Sequence, residues 1–347
     1  MLAQKLLVGI PDKKYIPNVI KLIKDYHIGG IILYKNNYNS INEMVDLINR
    51  LKEANRGYDI PLTIAIDQEG GRVNRLPKEL LNIKSSYRQC RSGKTIVKKA
   101  ARITSEVLSS LGINMDFAPV LDLRKQRDDN AFIGNRAFSP IAKKVIECGE
   151  IWCDELSRNN VIPVIKHYPG HGSLNVDSHL FLPVINEFKE DKDDLVPFKY
   201  FIKEETPAMM VAHILIRGKT GLKPATLSKP FISEYIRKGK KYNGLIVTDE
   251  LGMKAVRIFY GKINSVKLAY EATNDIICIK YHPNYVEKSL KMLLKDNKIS
   301  EKELENSFNK IIKYKKQYKF NDKEVSNKID ISKTNKMIEE INNYEEL

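Results

Sequence analysis

The chain has 347 residues, of which 42% are hydrophobic, and it carries a formal net charge of +15. This length and composition are typical of a globular protein with one large domain or two ordinary ones. The positive charge could indicate a nucleic-acid partner. The lysines and arginines are spread along the whole chain, however, and no RNA- or DNA-binding signature occurs. We therefore interpret the charge as a lysine-coated surface and expect no nucleic-acid partner.

Three features bear on the compartment. No stretch reaches the roughly 18 apolar residues of a membrane-spanning helix, so we expect no membrane span. The opening MLAQKLLVGI is too short for a signal peptide. The four cysteines form no C-x-x-C pair, which predicts isolated reduced thiols in a cytoplasmic protein. Export stays open as an alternative if the natural amino terminus has been trimmed.

Short apolar runs rich in β-branched residues recur along the chain, each bounded by Gly, Pro, Asn or Asp, and each predicts a buried strand. In chain order they are LLVGI (6–10), GGIILY (29–34), LTIAID (62–67), NMDFAPV (114–120), VIPVIKHY (161–168), AMMVAHI (208–214), GLIVTDE (244–250) and DIICIK (275–280). Segments with helical spacing lie between them, among them 41–55, 95–112, 141–160, 265–274 and 287–297. Gly112 and Asn160 are predicted helix stops.

Alternating strands and helices predict a parallel sheet, and eight strands predict a single-domain (β/α)8 barrel of the TIM type. An open doubly wound sheet is the alternative, although no G-x-G-x-x-G follows the first strand. We assign residues 1–318 to the catalytic barrel. The charged tail, residues 319–347, is expected to pack a last helix on the barrel or to fray.

Ionisable residues cluster where the predicted strands end. Asp67 closes the third strand and Asp122 follows the fourth. Lys166 and His167 close the fifth, His213 the sixth and Asp249 the seventh. In this fold the carboxyl ends of the strands form one rim, where active sites are built. The pattern therefore predicts an active site at that rim.

The segment KHYPGHGSLNVDSH (166–179) holds three of the six histidines in the chain. Its proline and glycines exclude a regular helix. Asp177 and His179 are two residues apart, so an extended backbone would place them on one face, where the carboxylate can fix the tautomer of the imidazole. His179 is then a candidate general acid and base. Zinc binding by His167, His171 and His179 is the alternative, but metal-dependent barrel hydrolases usually carry an H-x-H at the first strand, which LLVGI lacks.

Asp249, in IVTDELGM, follows an apolar strand and stands at the predicted rim. It could cap the next helix, or it could be a carboxylate nucleophile that forms a covalent sugar ester. The adjacent Glu250 would point the other way on a strand and is the weaker candidate for the nucleophile.

Two further segments offer groups that suit a sugar. In AIDQEGGRVNRL, Asp67 could bind sugar hydroxyls, and the guanidinium forks of Arg72 and Arg75 could bind acetyl or carboxylate oxygens. A turn with a structural salt bridge is the alternative for this segment. IGNRAF adds Arg136 in the loop after the fourth strand.

Six ordered motifs, GGIILY, IDQEGGRVNRL, NMDFAPVLDL, GNRAF, KHYPGHGSLNVDSH and TDELGM, together resemble the β-N-acetylhexosaminidase branch of the family 3 glycoside hydrolases. β-Glucosidase members of that family lack the histidine pattern. The resemblance implies that Asp249 is the nucleophile and that His179 is the acid/base, oriented by Asp177. It also implies a set of residues that hold the sugar: Asp67, Arg75, Arg136, Lys166 and His167, with His213 near it.

The resemblance further implies a retaining enzyme that removes N-acetylglucosamine from cell-wall (peptidoglycan) fragments through a covalent glycosyl-aspartate. The expected partner is this carbohydrate substrate, and no metal or organic cofactor is expected. A His–Asp acid/base avoids a second anion beside the nucleophile, so phosphate could replace water and phosphorolysis stays open. Two further functions stay open as well: a β-glucosidase of the same family, and a basic barrel that binds RNA or glycan without chemistry.

Overall fold

The computed structural model describes residues 1–125, 128–171, 182–189, 192–295 and 299–344. An eight-stranded parallel sheet forms its centre, and each of its strands lies where the sequence predicted one. The strands are β1 (Leu6–Gly9), β2 (Gly30–Leu33), β3 (Thr63–Ile66), β4 (Met115–Asp116), β5 (Ile162–Tyr168), β6 (Ala208–Val211), β7 (Leu245–Thr248) and β8 (Ile277–Lys280). A separate parallel pair joins Val184–Ile185 to Leu215–Ile216.

The sheet closes on itself. Its strands pair in the order β8-β1-β2-β3-β4-β5-β6-β7. Leu7 of β1 lies opposite Gly30 on one side and Cys278 on the other. Between β7 and β8 the circle is completed by a parallel bridge of Val247 and Ile276. The fold is therefore a TIM-type barrel, as predicted, and the open doubly wound alternative is wrong.

Helices surround the barrel: α1 (Ile16–Tyr26), α2 (Ile41–Ala54), α3 (Ser86–Arg91), α4 (Lys94–Ser110), α5 (Ala142–Arg158), α6 (Val196–Lys203), a π-helix (Pro230–Gly239), α7 (Lys254–Tyr260), α8 (Lys262–Glu271), α9 (Tyr285–Lys295), α10 (Glu301–Gln317) and α11 (Ile331–Asn343). Just beyond α4 and α5, Gly112 and Asn160 have φ of 77° and 56°. These left-handed residues end the helices as predicted. Within the described ranges, no helix has the length and apolar character needed to cross a bilayer.

Strand side chains alternate between two apolar layers, because successive residues point to opposite faces of a sheet. Leu7 and Ile32 belong to a cluster that fills the barrel interior, whereas Val8 and Ile31 belong to the larger cluster between strands and helices. Residues of α10, such as Tyr314, join the interior cluster. The barrel is thus packed through its centre, and this leaves the strand ends for polar groups.

The segment that links α10 to α11 lies against α2. Asp322 accepts a hydrogen bond from Nδ2 of Asn55 at 2.7 Å. Val325 exchanges two hydrogen bonds with the side chain of Asn49, at 2.8 and 2.9 Å. The helix α11 then packs on α4. The boundary between barrel and tail that we drew from the sequence stays a prediction.

All four cysteines are free thiols. The expectation that they are isolated is wrong for one pair, since Sγ of Cys148 lies 2.9 Å from Sγ of Cys90. Cys90 belongs to α3 and Cys148 to α5, so this contact joins two neighbouring helices.

Candidate active site

The predicted strand-end residues meet at one end of the barrel. Asp67 directly follows β3, and Asp249 directly follows β7. Lys166 and His167 belong to the last part of β5, and His213 lies two residues beyond β6. Since parallel strands have their carboxyl ends at the same edge, these side chains share one rim.

Loops bring other predicted residues to the same rim. Arg75 lies in residues 67–84, which follow β3 and which we call the rim loop. Arg136 ends a one-turn helix in the loop after β4. The predicted acid/base pair, His179 and Asp177, lies outside the described residues.

Glu69 is the hub of a buried ionic network. Its Oε1 lies 2.6 Å from Nζ of Lys166, and its two carboxylate oxygens accept from Nε and one terminal nitrogen of Arg136, each at 2.8 Å. The same Nζ donates to Oδ1 of Asp67 at 2.9 Å. The side chain of Lys166 is 2% exposed and that of Asp67 is 22% exposed, so Asp67 is the member that faces the solvent.

The network keeps its members charged. Burial by itself would raise the pKa of Glu69, but the charges of Arg136 and Lys166 outweigh burial and hold it far below its usual value. Burial would likewise lower the pKa of Lys166, but Asp67 and Glu69 raise it above its usual value. Two cations are therefore balanced by two carboxylates. The Asp67 carboxylate, held in place by this network, is suited to accept hydrogen bonds from sugar hydroxyls.

Asp122 fixes the neighbouring imidazole. It is fully buried, and its Oδ2 lies 2.6 Å from Nδ1 of His167. Its carboxylate also accepts the backbone N–H groups of His167 and His171, at 3.1 and 2.6 Å. Burial opposes ionisation, but the two histidines hold the pKa of Asp122 below its usual value. Because this anion accepts a hydrogen bond from the protonated Nδ1, Nε2 of His167 faces the rim. It lies 3.4 Å from a nitrogen of Arg136.

Asp249 is an anionic carboxylate at the end of β7. Its Oδ1 accepts the backbone N–H of Glu250 at 2.8 Å. Burial would raise its pKa, but the nearby imidazoles of His213 and His167 and this hydrogen bond hold the pKa of Asp249 below its usual value. A deprotonated carboxylate of this kind can attack an electrophilic carbon.

The carboxylate of Glu250 is engaged elsewhere. Its Oε1 accepts the backbone N–H groups of Gly252 at 2.7 Å and Lys280 at 3.0 Å. Burial raises the pKa of Glu250 above its usual value. These contacts support the turn that follows β7 and leave Glu250 the weaker candidate for a nucleophile.

His213 lies behind the turn that carries Asp249. It is 1% exposed, with Nδ1 2.6 Å from Oγ1 of Thr226 and Nε2 3.0 Å from the carbonyl oxygen of Glu250. Both ring nitrogens therefore have protein partners. This geometry orients the nucleophile candidate, and a direct contact of His213 with sugar stays a prediction.

The two arginines of the rim loop differ. A terminal nitrogen of Arg72 donates to the carbonyl oxygens of Phe132 and Ile133, at 2.8 and 3.3 Å, so Arg72 ties the rim loop to the loop that carries Arg136. Arg75 is held through its backbone, which donates to Oε1 of Gln68 at 2.8 Å. Among the ion pairs of the described residues none involves the Arg75 guanidinium, which suits a group that binds substrate oxygens.

Two acidic residues of this region, Glu69 and Asp116, were not expected from the sequence, and Asp122 was expected at the rim but without its contact to His167. Asp116 is fully buried in β4; its Oδ1 accepts from the backbone N–H of Gln68 at 2.9 Å, and within the described ranges its Oδ2 has no hydrogen-bond partner. Burial raises the pKa of Asp116 well above its usual value and thereby favours the neutral acid. The sequence did place these carboxyl groups inside or beside apolar strand runs. A carboxyl group buried there must be paired or protonated, and this could have drawn attention to them.

In the part of the chain that the structure describes, no group of three or more His, Cys, Asp or Glu side chains is arranged to hold a metal ion. The rim instead combines an anionic carboxylate after β7 with a charge-balanced pocket between β3 and β5. Such an arrangement can hold a polyhydroxylated ring while a carboxylate attacks it.

Comparison with known proteins identifies the family. Residues 3–314 match the model of the glycosyl hydrolase family 3 N-terminal domain. Among sequence relatives, β-hexosaminidase A of Pseudoalteromonas piscicida is 31% identical, and the match covers 86% of this chain but 55% of that protein. The β-hexosaminidase of Alkalilimnicola ehrlichii is 30% identical, with 88% of each chain covered. These relatives are hexosaminidases, as the motifs indicated.

The fold comparison agrees. The structure of a family 3 β-N-acetylglucosaminidase from Paenibacillus sp. str. FPU-7 superposes with a TM-score of 0.89 and 30% identity. It covers 98% of this chain and 67% of that chain. The chain thus spans little more than half of the Pseudoalteromonas protein and about two thirds of the Paenibacillus one.

Proposed function

This chain belongs to glycosyl hydrolase family 3, in its β-N-acetylglucosaminidase branch, and we propose that it is a retaining exo-β-N-acetylglucosaminidase. The proposed substrates are cell-wall (peptidoglycan) fragments that end in N-acetylglucosamine. The single observation that carries the proposal is the anionic Asp249 after β7, on the same rim as the Lys166–Glu69–Arg136 network.

In the proposed mechanism the non-reducing sugar enters the rim. Five side chains hold its hydroxyls and acetamido group: Asp67, Arg75, Arg136, Lys166 and His167. Asp249 attacks the anomeric carbon while His179, oriented by Asp177, protonates the departing oxygen. A glycosyl-aspartate ester forms with inversion. His179 then deprotonates a water that attacks the ester, and the second inversion gives overall retention. No cofactor enters this scheme.

A matched pair of variants tests the nucleophile. Asp249→Asn should lower kcat on p-nitrophenyl β-N-acetylglucosaminide by on the order of 10⁴-fold or more, because the ester cannot form. Glu250→Gln removes the adjacent carboxylate and should cost far less. Near-full activity of the first variant would overturn the proposal.

Leaving-group dependence tests the acid role of His179. His179→Ala should lose much more activity on substrates with poor leaving groups than on activated aryl glycosides, because only the former need protonation. Equal losses on both would argue against that role.

The competing functions are separated by the same assay. A phosphorylase would produce N-acetylglucosamine 1-phosphate when phosphate is added, and a β-glucosidase would prefer p-nitrophenyl β-glucoside. A non-catalytic binding protein would show salt-sensitive retention on heparin or glycan with no turnover. The cytoplasm is the proposed compartment, as the sequence indicated through the lack of a C-x-x-C pair.

A further inference from the structure

The carboxyl-terminal helix α11 contacts the rim loop through two asparagines. Oδ1 of Asn335 accepts the backbone N–H of Leu81 at 2.8 Å, and its Nδ2 donates to the carbonyl oxygen of Glu79 at 2.8 Å. One amide side chain thus pairs with both a backbone N–H and a backbone carbonyl of the loop. We call Asn335 and Asn342 the asparagine pair.

Asn342 makes the same kind of contact further along the loop. Its Oδ1 accepts the backbone N–H of Lys84 at 2.8 Å, and its Nδ2 donates to the carbonyl oxygen of Asn82 at 2.9 Å. Residues seven apart in a helix lie on one face, about two turns from each other. Between the pair, Ile338 and Ile341 are 2% and 0% exposed. The apolar contacts and the four hydrogen bonds therefore act on the same face of α11.

The contacted part of the rim loop, residues 79–84, supports the turn that follows Glu69. The backbone N–H of Gly71 donates to the carbonyl oxygen of Ile83 at 2.8 Å. The side chain of Asn82 also donates to the carbonyl oxygen of Gly71. Gly70 has φ of 85°, and a β-carbon added there would lie 3.2 Å from the carbonyl oxygen of Ile83. The two ends of the rim loop therefore pack directly on each other.

We propose that α11, through the asparagine pair, positions the rim loop and with it the sugar-holding groups Asp67 and Arg75. The pair acts through the loop and is not catalytic. This inference rests on the proposed function, because it assigns the loop to sugar binding. It gives the segment beyond the barrel a role in the affinity for the sugar.

The double variant Asn335→Ala/Asn342→Ala removes the four hydrogen bonds and keeps the apolar face of α11. Loss of interactions made equally in the ground and transition states raises KM and spares kcat. We expect KM for p-nitrophenyl β-N-acetylglucosaminide to rise about five-fold or more while kcat stays within about two-fold. An unchanged KM would overturn the proposal.

Asn49→Ala is the matched control. It removes two amide–backbone hydrogen bonds of the same kind between the tail and α2, at Val325, away from the rim loop. A general loosening of the tail would raise KM in this variant as well, and that result would also overturn the proposal. We expect its KM to equal that of the wild type.

Hydrogen exchange provides a readout that does not need activity. In the double variant, peptides that cover residues 67–78 should exchange faster than in the wild type and in Asn49→Ala. Faster exchange confined to residues 79–84 would mean that the pair only anchors the tail. If the wild type lacks glycosidase activity, the proposed function fails while this exchange result still decides whether the pair positions the loop.

Discussion

Oε1 of Glu69 lies 2.6 Å from Nζ of Lys166, and both side chains are 2% exposed. The same carboxylate also receives two hydrogen bonds from Arg136. One anion therefore serves two buried cations. Removal of one partner from such a group leaves charge uncompensated in a poorly solvated place, which costs much more than the pair contributes net.

Glu69→Gln should lower the free energy of unfolding by roughly 3–5 kcal/mol, because it removes this charge and keeps the shape of the side chain. Urea unfolding at neutral pH measures the change. Glu106→Gln is the matched control: it breaks a pair with Arg102 whose side chains are 64% and 45% exposed, and it should leave the free energy of unfolding close to that of the wild type. Similar losses in both variants would show that the buried network is not held as described.

Asp116 and Asp122 are both fully buried, yet we expect the same substitution to cost much less stability at Asp116 than at Asp122. Asp116→Asn replaces a neutral acid and keeps the oxygen that accepts a hydrogen bond from Gln68. The free energy of unfolding should therefore change by no more than about 1 kcal/mol. Asp122→Asn removes an anion that accepts from His167 and His171, and should cost roughly 3 kcal/mol or more. Both changes are read from urea unfolding at neutral pH, and equal costs would contradict the assigned charge states.

The burial of His171 should make the stability of the protein depend on pH. It is 1% exposed, neither ring nitrogen has a hydrogen-bond partner among the described residues, and burial lowers its pKa from 6.5 to about 4 despite the nearby Asp122 and Asp249 carboxylates. As pH falls, the unfolded chain therefore binds the proton first. Stability that is present above pH 6.5 is lost between 6.5 and about 4, by at most about 3 kcal/mol.

His171→Phe should flatten that part of the curve, since it removes the titrating ring and keeps an aromatic contact with Phe132, whose centroid is 4.4 Å away. Urea unfolding of both proteins across this pH range gives the comparison. The same substitution at the exposed His282 is the control for the loss of a histidine side chain from the surface. A variant at residue 171 that retains the full wild-type slope would contradict the burial of a neutral imidazole.

The barrel was predictable from the sequence because its signal is local. Each strand is a short apolar run closed by a turn residue, and each such run forms a strand in the structure. The run NMDFAPV is the least accurate, since β4 covers only Met115–Asp116. Pro119 in this run lacks the N–H that a continued ladder needs.

The rim position of Asp67, Lys166 and Asp249 was also predictable, because strand ends meet at one edge in this fold. Their partners were not. The contact of Glu69 with Arg136 spans 67 positions of the sequence, and no local pattern gives such a distance. The asparagine pair was missed for the same reason: α11 reads as a polar, charged tail until its place against the rim loop is known.

The proposed mechanism requires that Asp249 forms a covalent ester with the sugar. A fluorinated N-acetylglucosaminyl fluoride, whose fluorine slows hydrolysis of the ester, would trap that species for peptide mapping by mass spectrometry. We predict one sugar per chain on the carboxylate of Asp249, and release of the β anomer first during normal turnover. A label on Glu250 or on another carboxylate, or first release of the α anomer, would contradict this claim.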